Sequence, residues 1–318
     1  MNRRAFRGPL LVAAGLVLGA LPALAETRIE KDLKLSPGGD FRLETDMGSV
    51  TVNGSPDAGV HVVITSKRKD LEDLLTFRYE EGAASAAIVA RKKHVTSGWF
   101  SNNGGSVHYE IRVPAETRLA IDTSGGGIKV SGMRLQAKLD TSGGGISVTD
   151  QTGDLDADTS GGSIDLKDIK GRVRVETSGG GIDGSNLDGT VHAQSSGGSI
   201  ELQKVTGDID AETSGGGIRI VDAGGRIHAD TSGGSIEASF TKGNSRGGSL
   251  ETSGGGIEVT VDSAADLAID ASGNSVKSDV PITVHGEISR GNLQGTLGKG
   301  GNTLRLHTSG GSVRIQAL

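Results

Sequence analysis

Two histidines, His192 and His228, stand 36 residues apart, and Asp156 stands another 36 before them. Imidazole nitrogens with a carboxylate are zinc donors, so the spacing raises a metal question for any fold that stacks these positions. A second set is acidic. Asp140, Asp158, Glu176, Glu212, Asp230 and Glu251 each precede a Thr-Ser-Gly-Gly, and Asp122 and Asp270 stand at related positions toward the two ends. Columns of carboxylate oxygen suit calcium, although the calcium-binding nonapeptide repeat needs an aspartate where these units carry Ile or its neighbour. A third set is basic: Lys67, Arg68 and Lys69, then Arg91, Lys92, Lys93 and His94. If the strand-like runs leading into them pair as a hairpin, the cations converge and can dock anionic envelope polymers or lipid head groups.

Each set has a plainer reading. Acidic columns on a repeat protein are usually a solvated face, here relieved by Gln194, Lys138 and Arg174, and solvated strand ends explain the basic runs as well. Exposed histidines outnumber metal ligands, and no group that would orient His192 or His228 can be named from the sequence. The residues therefore call for no metal and no cofactor. The glycines do not form a phosphate loop, since no Lys-Ser or Lys-Thr pair follows them and no helix begins there. The largest departures from the repeat, "DGSNLDG" at 183–189 and "TKGNSRGG" at 241–248, contain no nucleophile with a base beside it. No catalytic residue is expected.

The elements that position these groups follow from periodicity. The serine of the repeated motif falls at Ser124, Ser142, Ser160, Ser178, Ser196, Ser214 and Ser232, a constant step of 18, and recurs at Ser253, Ser272 and Ser309. Within one unit, "LDADTSGGSIDLKDIKG" at 155–171, apolar and polar residues alternate with period two on both sides of the glycines. Leu155, Ala157 and Thr159 share one face, and Ile164 and Leu166 rejoin it after the corner. Two short strands per unit can bury that face only by stacking on neighbouring units. The expected fold is therefore an all-β parallel β-solenoid, or β-helix, of 18-residue two-strand units. The residue before the apolar strand position alternates, as in Gly145, Ser163, Gly181, Ser199, Gly217 and Ser235. Like-on-like stacking then favours two units per coil, which would place Asp156, His192 and His228 on adjacent rungs.

Composition agrees with this architecture. Of 318 residues 53 are glycine and 6 proline, and aromatics are 3%, so the core must be thin and built from Ile, Val, Leu, Ala and Thr. Residues 1–25 read as an export signal, with Arg3, Arg4 and Arg7, an apolar run and a small-residue "ALA". The "NRRAF" also fits twin-arginine export. The run is short for a membrane span, and no cysteine follows it for a lipid anchor. Loss of those arginines takes the net charge from −6 to −9, which argues against nucleic acid as a partner. Zero cysteines exclude a disulfide framework. Residues 26–117 are less regular and are expected to start and cap the solenoid, with Trp99 and Phe100 in a loop, while residues 118–318 carry the repeat.

The stretches "FRLETDMGSVTVNG" and "VHYEIRVPAETRLAIDTSGGGIKVSG", together with the repeated "TSGGGI", resemble a family of proposed bacterial adhesins. This is formally a domain of unknown function, with glycine-rich β-strand repeats, related to the adhesin heads of autotransporters. The resemblance implies a β-solenoid at the cell envelope without established catalysis, and transfers no functional residues. The expected protein is exported, periplasmic or at the cell surface, non-enzymatic and not integral to the membrane once the signal is gone. It would act as a binding or structural module toward an envelope polymer or protein. The rival readings are a polysaccharide-binding or carbohydrate-active solenoid, and an envelope-stress sensor or decoy for cationic peptides.

Overall fold

The computed structural model describes residues 27–67, 71–93, 107–285 and 289–318. The export signal, Arg68, Lys69, His94, Trp99 and Phe100 lie outside them. Among the described residues are 29 strands and one short helix, Leu71–Leu74. No helix there is long and apolar enough to cross a membrane.

The strands form two long sheets, of 14 and 15 strands, and in the repeat region each 18-residue unit gives one strand to each. Leu155–Thr159 pairs in parallel with Ala137–Thr141 on one side and Val173–Thr177 on the other, with Asp158 opposite Asp140 and Glu176. In the facing sheet Ile164–Lys170 pairs likewise with Ile146–Thr152 and Ile182–Asp188. Register partners such as Ile146 and Ile164 differ by one unit, so a coil holds one unit and the expectation of two is corrected. Glycine and serine do alternate along a single edge, and at two steps of it the serine hydroxyl accepts a backbone N–H from the next coil. The Gly217 N–H donates to Ser199 Oγ at 3.3 Å and the Gly256 N–H to Ser235 Oγ at 3.2 Å.

The core lies between the sheets as stacked columns. Ile128, Ile146, Ile164, Ile182, Ile200, Ile218, Ile236 and Ile257 succeed one another in register, all at most 2% exposed. Full burial of each such side chain contributes about 1.5–3 kcal/mol relative to exposure. Ala157, Ala193, Ala211 and Ala229 stand in the other sheet, which keeps the section thin.

Period two breaks once in each of five successive units. Ile164 and Leu166 point inward, then Lys167 and Asp168 both point out before Ile169 turns in. The cause is a left-handed residue: Asp150, Asp168, Asn186, Lys204 and Asp222 have φ between 53° and 59°. Asp and Asn tolerate that conformation better than other residues with a Cβ. Each kink resets the alternation and gives the core a third inward residue: Gln151, Ile169, Leu187, Val205 or Ala223.

Antiparallel strands close both sheets at the first end and one sheet at the other, which protects open sheet edges. At the first end, Val60–Ser66 lies between Thr27–Leu33 and Val107–Pro114, and Leu75–Glu81 covers Ser85–Lys92. At the other end the chain doubles back. Asn302–Thr308 inserts between Gly248–Thr252 and Leu267–Ser272, and Val313–Ala317 between Ile257–Val261 and Val276–Ser278. The Ser309 unit thus stacks directly on the Ser253 unit. The Ser272 unit is displaced outward and slips by two residues, pairing Asp270 with Arg305 rather than continuing the acidic column.

Candidate functional site: the carboxylate ladder

The corner that carries the acidic residues is fixed from inside. The motif threonine is buried, and its hydroxyl donates to the second glycine carbonyl of the preceding unit: Thr141 to Gly126 at 2.7 Å, Thr159 to Gly144 at 2.7 Å, Thr177 to Gly162 at 2.8 Å. Alternation then turns the preceding residue outward. Parallel pairing stacks these residues in register, from Asp122 through Asp140, Asp158, Glu176, Gln194, Glu212 and Asp230 to Glu251. Glu44 extends the column at one end and His307 closes it at the other. Neighbouring rungs lie about 4.8 Å apart, so the column is a ladder of half-buried carboxylates. Its first part floors a shallow groove of about 430 Å³ with Ser142, Ser160 and Ser178.

Packing this many acids together has an electrostatic cost. Burial pushes the carboxyls of Asp140 and Asp158 above their ordinary range, and the like charges of neighbouring aspartates add to it, while Lys138 pulls the other way for both and Arg174 for Asp158. Two residues earlier on the same face runs a second column of mixed sign: Lys138, Asp156, Arg174, His192, Asp210 and His228. Arg174 reaches across to pair with Glu176. The face is therefore a carboxylate ladder beside a rail of mixed basic and acidic side chains.

The expected histidine cluster is rearranged. With one unit per coil, Arg174 stands between Asp156 and His192, so Asp156 does not join the histidines. Asp210 lies between them instead. Its carboxylate accepts from His192 Nδ1 at 2.9 Å and lies 4.0 Å from His228 Nε2.

The hairpin expected to bring the basic runs together is absent among the described residues. Its two strands lie in different sheets, Val60–Ser66 beside Val107–Pro114 and Ser85–Lys92 beside Asp40–Thr45, so no hairpin brings Lys67 to the second run. Arg91 turns onto Glu44 and Asp46, and the Lys92 backbone N–H also donates to Asp46. Those contacts, the backbone hydrogen bond first, hold the Asp46 carboxyl below its ordinary range. Lys93 Nζ donates to the Glu72 carbonyl at 2.6 Å.

Two features escaped sequence reasoning. Beside the left-handed column runs a groove of about 860 Å³ lined by Arg134, Asp150, Asp168, Lys170, Asn186 and Lys204 among others. The Asp and Asn residues spaced 18 apart were its signal. Serine–histidine pairs also occur, Ser49 with His108 Nδ1 at 2.8 Å and Ser272 with His307 Nδ1 at 2.6 Å. Neither histidine has a carboxylate hydrogen-bonded to its other nitrogen among the described residues, so the orienting third group of a nucleophilic site is missing.

No curated protein matches the chain. Solved structures similar to it include a proposed adhesin from Bacteroides fragilis, 13% identical over 92% of this chain and 97% of that one, with a TM-score of 0.32. Another is a proposed lipid-binding protein from Parabacteroides distasonis, 15% identical over 91% and 96%, with a TM-score of 0.42. A third is a proposed adhesin from Parabacteroides merdae, 10% identical over 91% and 95%, with a TM-score of 0.30. The family described as Toastrack DUF4097 matches residues 40–316, most of the chain, and the protein belongs to that family.

Proposed function

We propose that this protein is an exported, non-enzymatic repeat scaffold that acts at the cell envelope by binding extended cationic polymers or peptides along the carboxylate ladder. The observation that carries this reading is the in-register column from Asp122 to Glu251, in which acids recur on successive rungs with one neutral break at Gln194. A single exposed ion pair contributes little, about 0–1 kcal/mol. A row of carboxylates at fixed spacing engages a polycation at several points at once, and multivalency raises the apparent affinity well above that of one pair. The signal-like first 25 residues and the net negative charge support an envelope location and a cationic partner. An adhesive role fits the same face when the cationic surface belongs to another cell or matrix.

Fluorescence anisotropy with a labelled oligolysine peptide tests the reading. Binding is expected to weaken steeply between low and physiological salt and to be largely lost in the triple variant Glu176→Gln/Glu212→Gln/Glu251→Gln. Salt-independent binding, or binding that survives the triple variant, overturns the cationic-ligand reading. Catalytic cleavage of acidic polysaccharides by the purified protein would overturn its non-enzymatic part.

A further inference from the structure

The outward rail changes character around Asp210. Register pairing sets His192 on the rung before it and His228 on the rung after it, so imidazoles approach one carboxylate from both sides. Glu212, two residues along the same strand, projects from the same face. One ligand atom from each of Asp210, Glu212 and His228 lies within 4.8 Å of the other two.

Two further observations bear on what fills that space. Asp210 Oδ1 is buried and has no hydrogen-bond donor, although its carboxylate is otherwise fixed by His192. His228 Nε2 stands 4.0 Å from that oxygen, beyond hydrogen-bond range. Ligand atoms held about 2.0–2.2 Å from a tetrahedral ion stand roughly 3.4 Å apart. A small side-chain rotation therefore brings the nitrogen and the orphan oxygen onto one cation. The donor set of one imidazole, two carboxylates and no sulfur suits a borderline ion, whereas calcium takes six to eight oxygens.

We propose that Asp210, Glu212 and His228 form a zinc-binding site with an open position for water, and that His192 is a positioning residue holding Asp210 through its second oxygen. Such outer hydrogen bonds orient metal ligands and commonly change affinity by roughly 10- to 100-fold when removed. The site shares Glu212 with the carboxylate ladder but does not depend on cationic ligands.

Calorimetric titration of Zn²⁺ into the chelator-treated protein tests it. The expected result is one saturable equivalent per chain. His228→Ala and Asp210→Asn should each weaken binding at least ~10-fold, and His192→Ala by about 10-fold or more, on the scale of lost ligands and their supports. Asp156→Asn, on the same rail but away from the cluster, should bind as wild type does. With Co²⁺ as the probe, His192→Ala should also shift the visible ligand-field bands, which a general loss of stability would not do. Absence of one-site binding, wild-type affinity in both His228→Ala and Asp210→Asn, or equal weakening by Asp156→Asn overturns the site. Oligolysine binding by His228→Ala should match wild type, so failure of the zinc site leaves the ladder reading standing.

Discussion

Thr159 and Gly144 stand on neighbouring coils, and the threonine hydroxyl donates to the glycine carbonyl at 2.7 Å while accepting the N–H of Gly162 at 3.3 Å. One buried side chain thus ties two successive corners together. The same arrangement recurs at Thr177, Ser195, Thr213, Thr231, Thr252 and Thr308. The ladder outside is regular because this one inside is.

Replacing Thr177 by valine keeps the shape and removes both bonds. The Gly162 carbonyl and the Gly180 N–H lose their partner in a partly buried corner, a loss of about 1 kcal/mol or more. Thr177→Ser should cost only the methyl group, about 1 kcal/mol, because Ser195 already fills the equivalent position and donates to Gly180 at 2.8 Å. Urea unfolding midpoints should rank wild type, serine, then valine. Equal midpoints for serine and valine would show that the hydroxyl does not hold the corner.

The glycines of one corner are unequal. A Cβ on Gly198 would lie well inside van der Waals contact with the Gly180 carbonyl, whereas on Gly197 its nearest neighbour, the Gly179 carbonyl, is 3.3 Å away. Backbone hydrogen bonds hold both coils, so neither can move aside. Gly198→Ala should cost on the order of 1–3 kcal/mol through overpacking, and Gly197→Ala distinctly less. Thermal unfolding of the two variants reads the difference, and a reversed order would refute the stacking argument.

Much of this architecture was legible in the residues. Inward Leu155, Ala157 and Thr159 and outward Asp158 follow from alternation alone, and the burial matches. The third inward residue, Ile169, was hidden because a period-two rule has no place for a left-handed residue such as Asp168. The number of units per coil was misread because like-on-like stacking was assumed, whereas Gly181, Ser199 and Gly217 follow one another along one edge. That misreading put Asp156 beside His192 and overlooked Asp210. The basic patch required a hairpin, and sequence distance cannot tell a hairpin from two strands sent to different sheets.

Lowering pH should relieve the carboxylate ladder. Burial, then charge, raises the folded-state pKa of Asp140 and Asp158 above the ordinary 3.8. Such groups bind protons more tightly in the folded state. Their contribution to stability is fully present below the unfolded pKa and is lost as pH rises through the folded one. Asp158→Asn should therefore unfold at higher urea than wild type at pH 7, with the advantage shrinking as pH falls through the folded-state pKa toward 3. A variant no more stable than wild type at pH 7 would contradict the assignment of electrostatic cost to this column.

The end of the chain should hold a larger part of the molecule than its length suggests. Asn302–Thr308 and Val313–Ala317 lie inside the stack, and the outer strands Leu267–Ser272 and Val276–Ser278 reach the solenoid through them. Thr308 also extends the inner hydroxyl ladder, donating to the Gly255 carbonyl at 2.7 Å. A chain stopped before Asn302 leaves Leu267–Ser272 without its parallel partner and opens the edge of Gly248–Thr252. Repeat proteins are stabilised mainly by nearest-neighbour interfaces, so the damage should spread inward only a few coils. Hydrogen exchange of the truncated protein should accelerate throughout residues 248–285 while the amides of Val173–Thr177 stay protected. Protection retained across residues 267–278 would mean that the outer unit stacks independently, and that the final coil is an insertion rather than a keystone.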